Sequence, residues 1–105
     1  MEFRRLFTRA QAERTLPLVR RIVADILRTA GSIGEAGVDE ERVRGLQADL
    51  QEYVGELEAI GCYYKDWSYA VGLVDFPAEI DGKQVFLCWR SDEPGLAWYH
   101  GIQDG

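Results

Sequence analysis

Five residues in the C-terminal third of the chain carry side chains that could do chemistry together: Asp75, Cys88, Arg90, Glu93 and His100. Asp, Cys and His can each ligate zinc. A thiol beside an imidazole that a carboxylate orients is also the arrangement that activates a cysteine nucleophile. The spacing argues against both chemistries. His100 is the only histidine and no Cys-x-x-Cys pair occurs, so nothing seeds a metal site. Cys88 lies inside the unbroken apolar run Val85-Phe86-Leu87-Cys88-Trp89, where a thiol is ordinarily inert packing. The plainer expectation is an Asp75–Arg90 ion pair, a buried Cys88 and a half-exposed His100. The five residues stand as a candidate ligand-binding face, with no catalytic residue, metal or cofactor assigned.

These residues depend on two β-prone runs around Asp81-Gly82, a two-residue turn signal. That turn sets a register in which Val74 faces Trp89, Phe76 faces Leu87 and Ala78 faces Val85, so one sheet face is wholly apolar. On the other face Asp75 lies opposite Cys88 and diagonal to Arg90. An apolar run without alternation indicates a strand covered on both faces. The next connection, Ser91-Asp92-Glu93-Pro94-Gly95, decides the last strand. With five residues in the turn, Trp98 and His100 join the second face; with four they turn into the core.

Two helices must supply the cover for the first face. Thr8, with Gln11 three residues on, is a capping-box start. Val19, Ile22, Val23, Ile26, Leu27 and Ala30 then recur at helical spacing. Pro17, about two turns inside, predicts a kink, or a short first helix with a second restarting near Thr15. Gly31-Ser-Ile-Gly34-Glu-Ala-Gly37 breaks the pattern as a flexible connection; no strand precedes it and no Gly-Lys-Ser/Thr follows, so it is no phosphate loop. Asp39 caps a second helix with the stripe Val43, Leu46, Leu50, Tyr53, Val54, Leu57 and Ile60, ended by Gly61.

At 105 residues the chain is one domain, residues 1–61 forming a helical hairpin and 62–105 an antiparallel meander. No run is long and apolar enough for a membrane span, and MEFRRLFTRA lacks a secretory h-region, so the cytoplasm is expected. Residues 1–30 carry a net charge of +4 and the remainder −10. The overall −6 repels nucleic acid and anionic membrane but leaves room for head-to-tail self-association. Arg14, Arg21 and Arg28 recur every seven residues on the polar side of the first helix, as a solvated face or as a stripe for an acidic partner such as Glu41, Asp49, Glu52 and Glu56 of a neighbouring subunit. Tyr63, Tyr64, Trp67 and Tyr69 could stack bases, but a stacking platform needs a basic groove and Lys65 stands alone beside Asp66.

FTRAQAERTLPLVRRI, GCYYKD, GLVDFPAEIDGKQVFLCWR and AWYH, in that order, resemble the uncharacterised bacterial family catalogued as domain of unknown function 2203. The resemblance spans nearly the whole chain and implies no established activity. It departs at Asp92, where Gly is expected before Glu93, and at Gly105, where a short Gly- and Arg-containing tail is expected to follow. The fold expected is α+β, a kinked antiparallel helical hairpin packed on a small three-stranded antiparallel sheet. The function expected is a non-enzymatic homodimer or protein-docking domain using apolar surface at Leu73, Phe86, Trp98 and Trp67. Residues 61–70 folding back over the sheet would cover that surface within one chain instead. The second function expected is a metal- or small-molecule-binding domain on the Asp75/Cys88/Arg90/His100 face.

Overall fold

The computed structural model describes residue 3, residues 5–96 and residues 98–101, the last four through their backbone. The capping box forms as the sequence requires. Thr8 Oγ1 accepts from the Gln11 amide at 3.1 Å, and Gln11 Oε1 accepts from the Thr8 amide at 2.9 Å. Helix α1, Arg9–Ala36, then runs without interruption through Pro17. No second helix restarts near Thr15, whose hydroxyl instead donates to the Gln11 carbonyl at 2.8 Å. Pro17 and Glu13 are both exposed, so the carbonyl that loses its helical donor to Pro17 stands at the water-facing side.

The expected break at Gly31 is also absent, because α1 continues through Gly31 and Gly34 to Ala36. A Cβ at either glycine would meet nothing within 4 Å. They are exposed helical positions, and the partly buried Ile33 between them packs on the core and holds the last turns. The turn shrinks to residues 37–39, with Gly37 at a φ of 61°. Asp39 caps α2, Glu40–Ile60, by accepting from the Arg42 amide at 3.1 Å. Gly61 ends it in the left-handed region at a φ of 103°, its amide reaching the Leu57 and Glu58 carbonyls.

The sheet is antiparallel throughout, in the order β1 (Tyr63–Tyr64), β2 (Leu73–Ile80), β3 (Lys83–Arg90) and β4 (Trp98–Gly101). The three-stranded meander thus gains a two-residue edge strand. Asp81 and Gly82 take φ values of 53° and 77°, the double positive φ of a tight hairpin turn. The register follows: Val74 opposite Trp89, Asp75 opposite Cys88, Phe76 opposite Leu87 and Ala78 opposite Val85. Across β3 and β4, Cys88 pairs with Trp98 and Phe86 with His100, the register of the five-residue connection.

Val74, Phe76, Ala78, Val85, Leu87 and Trp89 form one buried face, packed with Val19, Val23 and Ile26 of α1 and Leu57 of α2. The approach is close: a Cβ on Gly72 would lie 2.2 Å from a Val23 methyl. Phe7 enters this core from an N-terminal stretch that shows no strand pattern. Its amide donates to the Pro77 carbonyl at 2.8 Å, its carbonyl accepts from the Glu79 amide at 3.0 Å, and its ring meets Phe76 edge-on at 5.4 Å. The Pro77 carbonyl faces Phe7, so its donor-less nitrogen faces the same sheet edge, where a proline is tolerated.

Two α1 arginines fasten the β3–β4 connection. Arg9 Nη2 donates to the Leu96 carbonyl at 2.9 Å, and Arg20 Nη2 donates to the carbonyls of Glu93 and Pro94 while its guanidinium lies over the Trp89 ring. Among the described residues, no helix is long and apolar enough to cross a membrane.

Candidate functional site

β1 places Tyr63 opposite Asp75, which carries Lys65, two residues on, beside the same carboxylate. The Lys65 ammonium lies 3.3 Å from Asp75 Oδ2, and the Cys88 thiol donates to Asp75 Oδ1 at 3.0 Å. Asp75 is only 3% exposed. A carboxylate so deep requires a cation and hydrogen bonds to offset its lost hydration, and Lys65 and Cys88 help supply them.

The Asp75–Arg90 ion pair expected from the register does not form. Arg90 Nε and Nη2 reach Asp92 Oδ1 and Oδ2 at 3.1 and 3.2 Å, with Glu93 Oε1 at 3.8 Å. A bidentate partner two residues away demands less ordering than a diagonal one across the hairpin. Asp92 and, less strongly, Glu93 raise the Arg90 pKa further.

The same surroundings define what Cys88 can do. Burial first, then the hydrogen bond to Asp75 and that group's negative charge, push the Cys88 thiol far above its usual range. Burial pushes the Cys62 thiol up to about 12, against a small opposing effect of Arg5. A nucleophilic cysteine requires the opposite shift. Both cysteines are protonated, buried groups at neutral pH, and Cys88 serves as a hydrogen-bond donor.

Of the sequence-derived site residues, Asp75 and Cys88 come together, whereas Arg90 and Glu93 meet each other at the β3–β4 connection. His100 takes the register position opposite Phe86; its side chain lies outside the described residues. No three His, Cys, Asp or Glu side chains gather as a metal set among the described residues.

Among the described residues, the surface expected on this face at Leu73 and Phe86 is largely closed within one chain. Phe86 is 9% exposed, Pro77 is buried and Leu73 is half-buried. The Phe3 ring stands edge-on to Phe86 at 5.5 Å and 5.8 Å from Tyr63, and the Lys65 ammonium sits 5.9 Å above Phe86. Residues 61–70 contribute an edge strand and, through Lys65, part of the cover over Phe86, and Phe3 supplies more. The Trp98 side chain lies outside the described residues.

Trp67 behaves differently and remains 59% exposed. The loop that carries it is tightly built. Asp66 Oδ1 accepts from the amide and hydroxyl of Ser68, and Oδ2 accepts from the Val71 amide at 2.9 Å. These bonds, the Ser68 hydroxyl foremost, hold the Asp66 pKa below the usual carboxylate value. Tyr69 adopts a φ of 59°, a conformation costing a non-glycine residue roughly 1–2 kcal/mol. Tyr64 and Tyr69 stack at 5.8 Å, and Trp67 meets both edge-on. Burial, then the charge of Asp66, push the Tyr64 hydroxyl up to about 12.

Between this loop and α2 lies an open groove of about 630 Å³ lined by Gln47, Leu50, Gln51, Val54, Glu58, Trp67 and Tyr69. The α2 positions form one helical surface at the edge of the core stripe, to which Leu50 and Val54 belong. α2 carries six carboxylates (Glu40, Glu41, Asp49, Glu52, Glu56 and Glu58) against Arg42 and Arg44. None of the six joins an ion pair among the described residues. The groove is an aromatic surface with one carboxylate, Glu58, in its lining, suited to a partner that brings apolar and cationic groups. Sequence patterning identifies Trp67 as a surface aromatic but not the groove, which depends on the path of residues 65–72.

A family model described as "Uncharacterized conserved protein (DUF2203)" matches residues 5–105. No curated protein and no solved structure matches the chain.

Proposed function

The chain belongs to the DUF2203 family, and from its own residues we propose a non-enzymatic, cytoplasmic interaction domain that self-associates through the groove beside α2. The supporting observation is Trp67: a large aromatic, 59% exposed, on a loop whose Asp66 bonds and left-handed Tyr69 hold it out. Folding alone would favour burying that ring, since a buried aromatic contributes on the order of 2–3 kcal/mol. Trp is among the residues most enriched at the energetic centres of protein interfaces. Asp75 and Cys88 support no catalytic reading, because the thiol is held protonated and the carboxylate is paired with Lys65.

Sedimentation equilibrium over a tenfold range around micromolar concentration tests the reading. The expected mass is twice 11.9 kDa, falling to the monomer in Trp67→Ala with the circular-dichroism spectrum unchanged. A wild-type monomer at every concentration overturns it.

A further inference from the structure

Self-association leaves open which surface of the second copy enters the groove. We infer that it is the outer ridge of the partner copy's α1, formed by Arg14, Leu18 and Arg21; this rests on the self-association reading above. Leu18 is 41% exposed, one of three large exposed hydrophobics among the described residues with Val38 and Trp67. Arg14 and Arg21 lie four residues before it and three after, which places all three on one stretch of helix surface. Both arginines are exposed and neither joins an ion pair among the described residues.

The other α1 arginines are already engaged. Arg9 and Arg20 hold backbone carbonyls of the β3–β4 connection, and Arg28 pairs with Asp25 at 2.6 Å. The ridge is therefore an apolar knob with an uncommitted cation on each side.

The groove is its complement. Trp67 offers an indole face, the partly buried Val54 and the rim of the buried Leu50 offer a narrow apolar floor, and Glu58 offers a carboxylate on a helix whose net charge is −4. A guanidinium stacks well on an indole because it is planar and weakly hydrated. The fold already uses this contact once, with Arg20 over Trp89 at 5.2 Å, and places a second guanidinium, Arg5, over the Phe7 ring at 4.0 Å. The ridge is shorter than the groove and fits along it. Arg14 to Arg21 spans about 10 Å of helix, and Gln47 to Glu58 about 16 Å. Two reciprocal contacts close a dimer, whereas a non-reciprocal one propagates to longer oligomers.

Charge reversal tests this assignment with residues that are exposed and outside the core. Sedimentation velocity compares wild type, Arg14→Glu/Arg21→Glu, Glu58→Arg, and the combination of Arg21→Glu with Glu58→Arg. We expect each reversal to weaken self-association at least about tenfold, the combined variant to recover most of it, and added salt to weaken the wild type. Self-association that is indifferent to Arg14, Arg21 and salt overturns the ridge and leaves the self-association reading standing. A wild-type monomer at all concentrations overturns both. Recovery of association in the combined variant is the outcome that a general loss of stability cannot produce.

Discussion

The two candidate regions hold similar ingredients in opposite arrangements. Around Asp75, charge and aromatic rings are folded inward: Lys65 and Cys88 meet the carboxylate, and Phe3 leans on Phe86. Around Trp67, the loop is equally well bonded, yet the ring projects over a groove and none of the α2 carboxylates is in an ion pair among the described residues. The first arrangement satisfies the chain itself. The second leaves apolar area and charge for something else. On the proposed reading, what separates the structural region from the interacting one is exposure and commitment of the groups, not the residue types present.

That contrast can be broken from the buried side first. Asp75→Ala strands the Cys88 donor and deprives Lys65 of its counter-charge, so we expect a loss of about 2–4 kcal/mol in urea unfolding. Gly72→Ala forces a methyl into Val23 and should cost about 1–3 kcal/mol by the same measurement. Both substitutions should leave any association of the folded protein unchanged.

Alkaline pH sharpens the same point. Cys62, Cys88 and Tyr64 hold their protons more tightly when folded than their ordinary values of 9.0, 9.0 and 10.0. Groups with raised folded pKa values contribute stability that is complete below the unfolded value. It is lost as pH climbs from there towards the folded one. Unfolding free energy should therefore decline above about pH 9, with no pH dependence from these groups around neutral pH. A Cys62→Ala variant should show a flatter decline, and both thiols of the native wild type should resist alkylation until it unfolds.

Trp67→Ala is the smallest in stability and the most telling. We expect less than about 1 kcal/mol of change in unfolding free energy, because the ring is mostly in water, together with loss of self-association. A strongly destabilised Trp67→Ala would mean that the ring works for the fold and would dissolve the contrast between the regions.

Local chemistry explains which features the sequence displays. The capping box at Thr8 and Gln11, the Asp81-Gly82 turn and the strand register each follow from neighbouring residues, and all three form as read. Gly31 and Gly34 mislead because glycine weakens a helix by only about 1 kcal/mol each, which packing by Ile33 and the surrounding turns outweighs. Asp75 and Arg90 are placed correctly relative to each other, yet each finds another partner. The Lys65 contact requires knowing that Tyr63 pairs with Asp75, a long-range fact carried by no periodicity. Phe7 is invisible for the same reason, since a single bridging residue has no pattern. The groove is the least legible feature, being the space left between α2 and an irregular loop.

Amide hydrogen exchange at low and high protein concentration tests the central claim most directly, because it reads both regions in one experiment. Concentrating the protein should slow exchange in residues 47–58 of α2 and in residues 66–70, while residues 74–77 and 86–89 exchange at an unchanged rate. Slowing confined to the Asp75 face, with α2 and the Trp67 loop indifferent to concentration, would contradict the account.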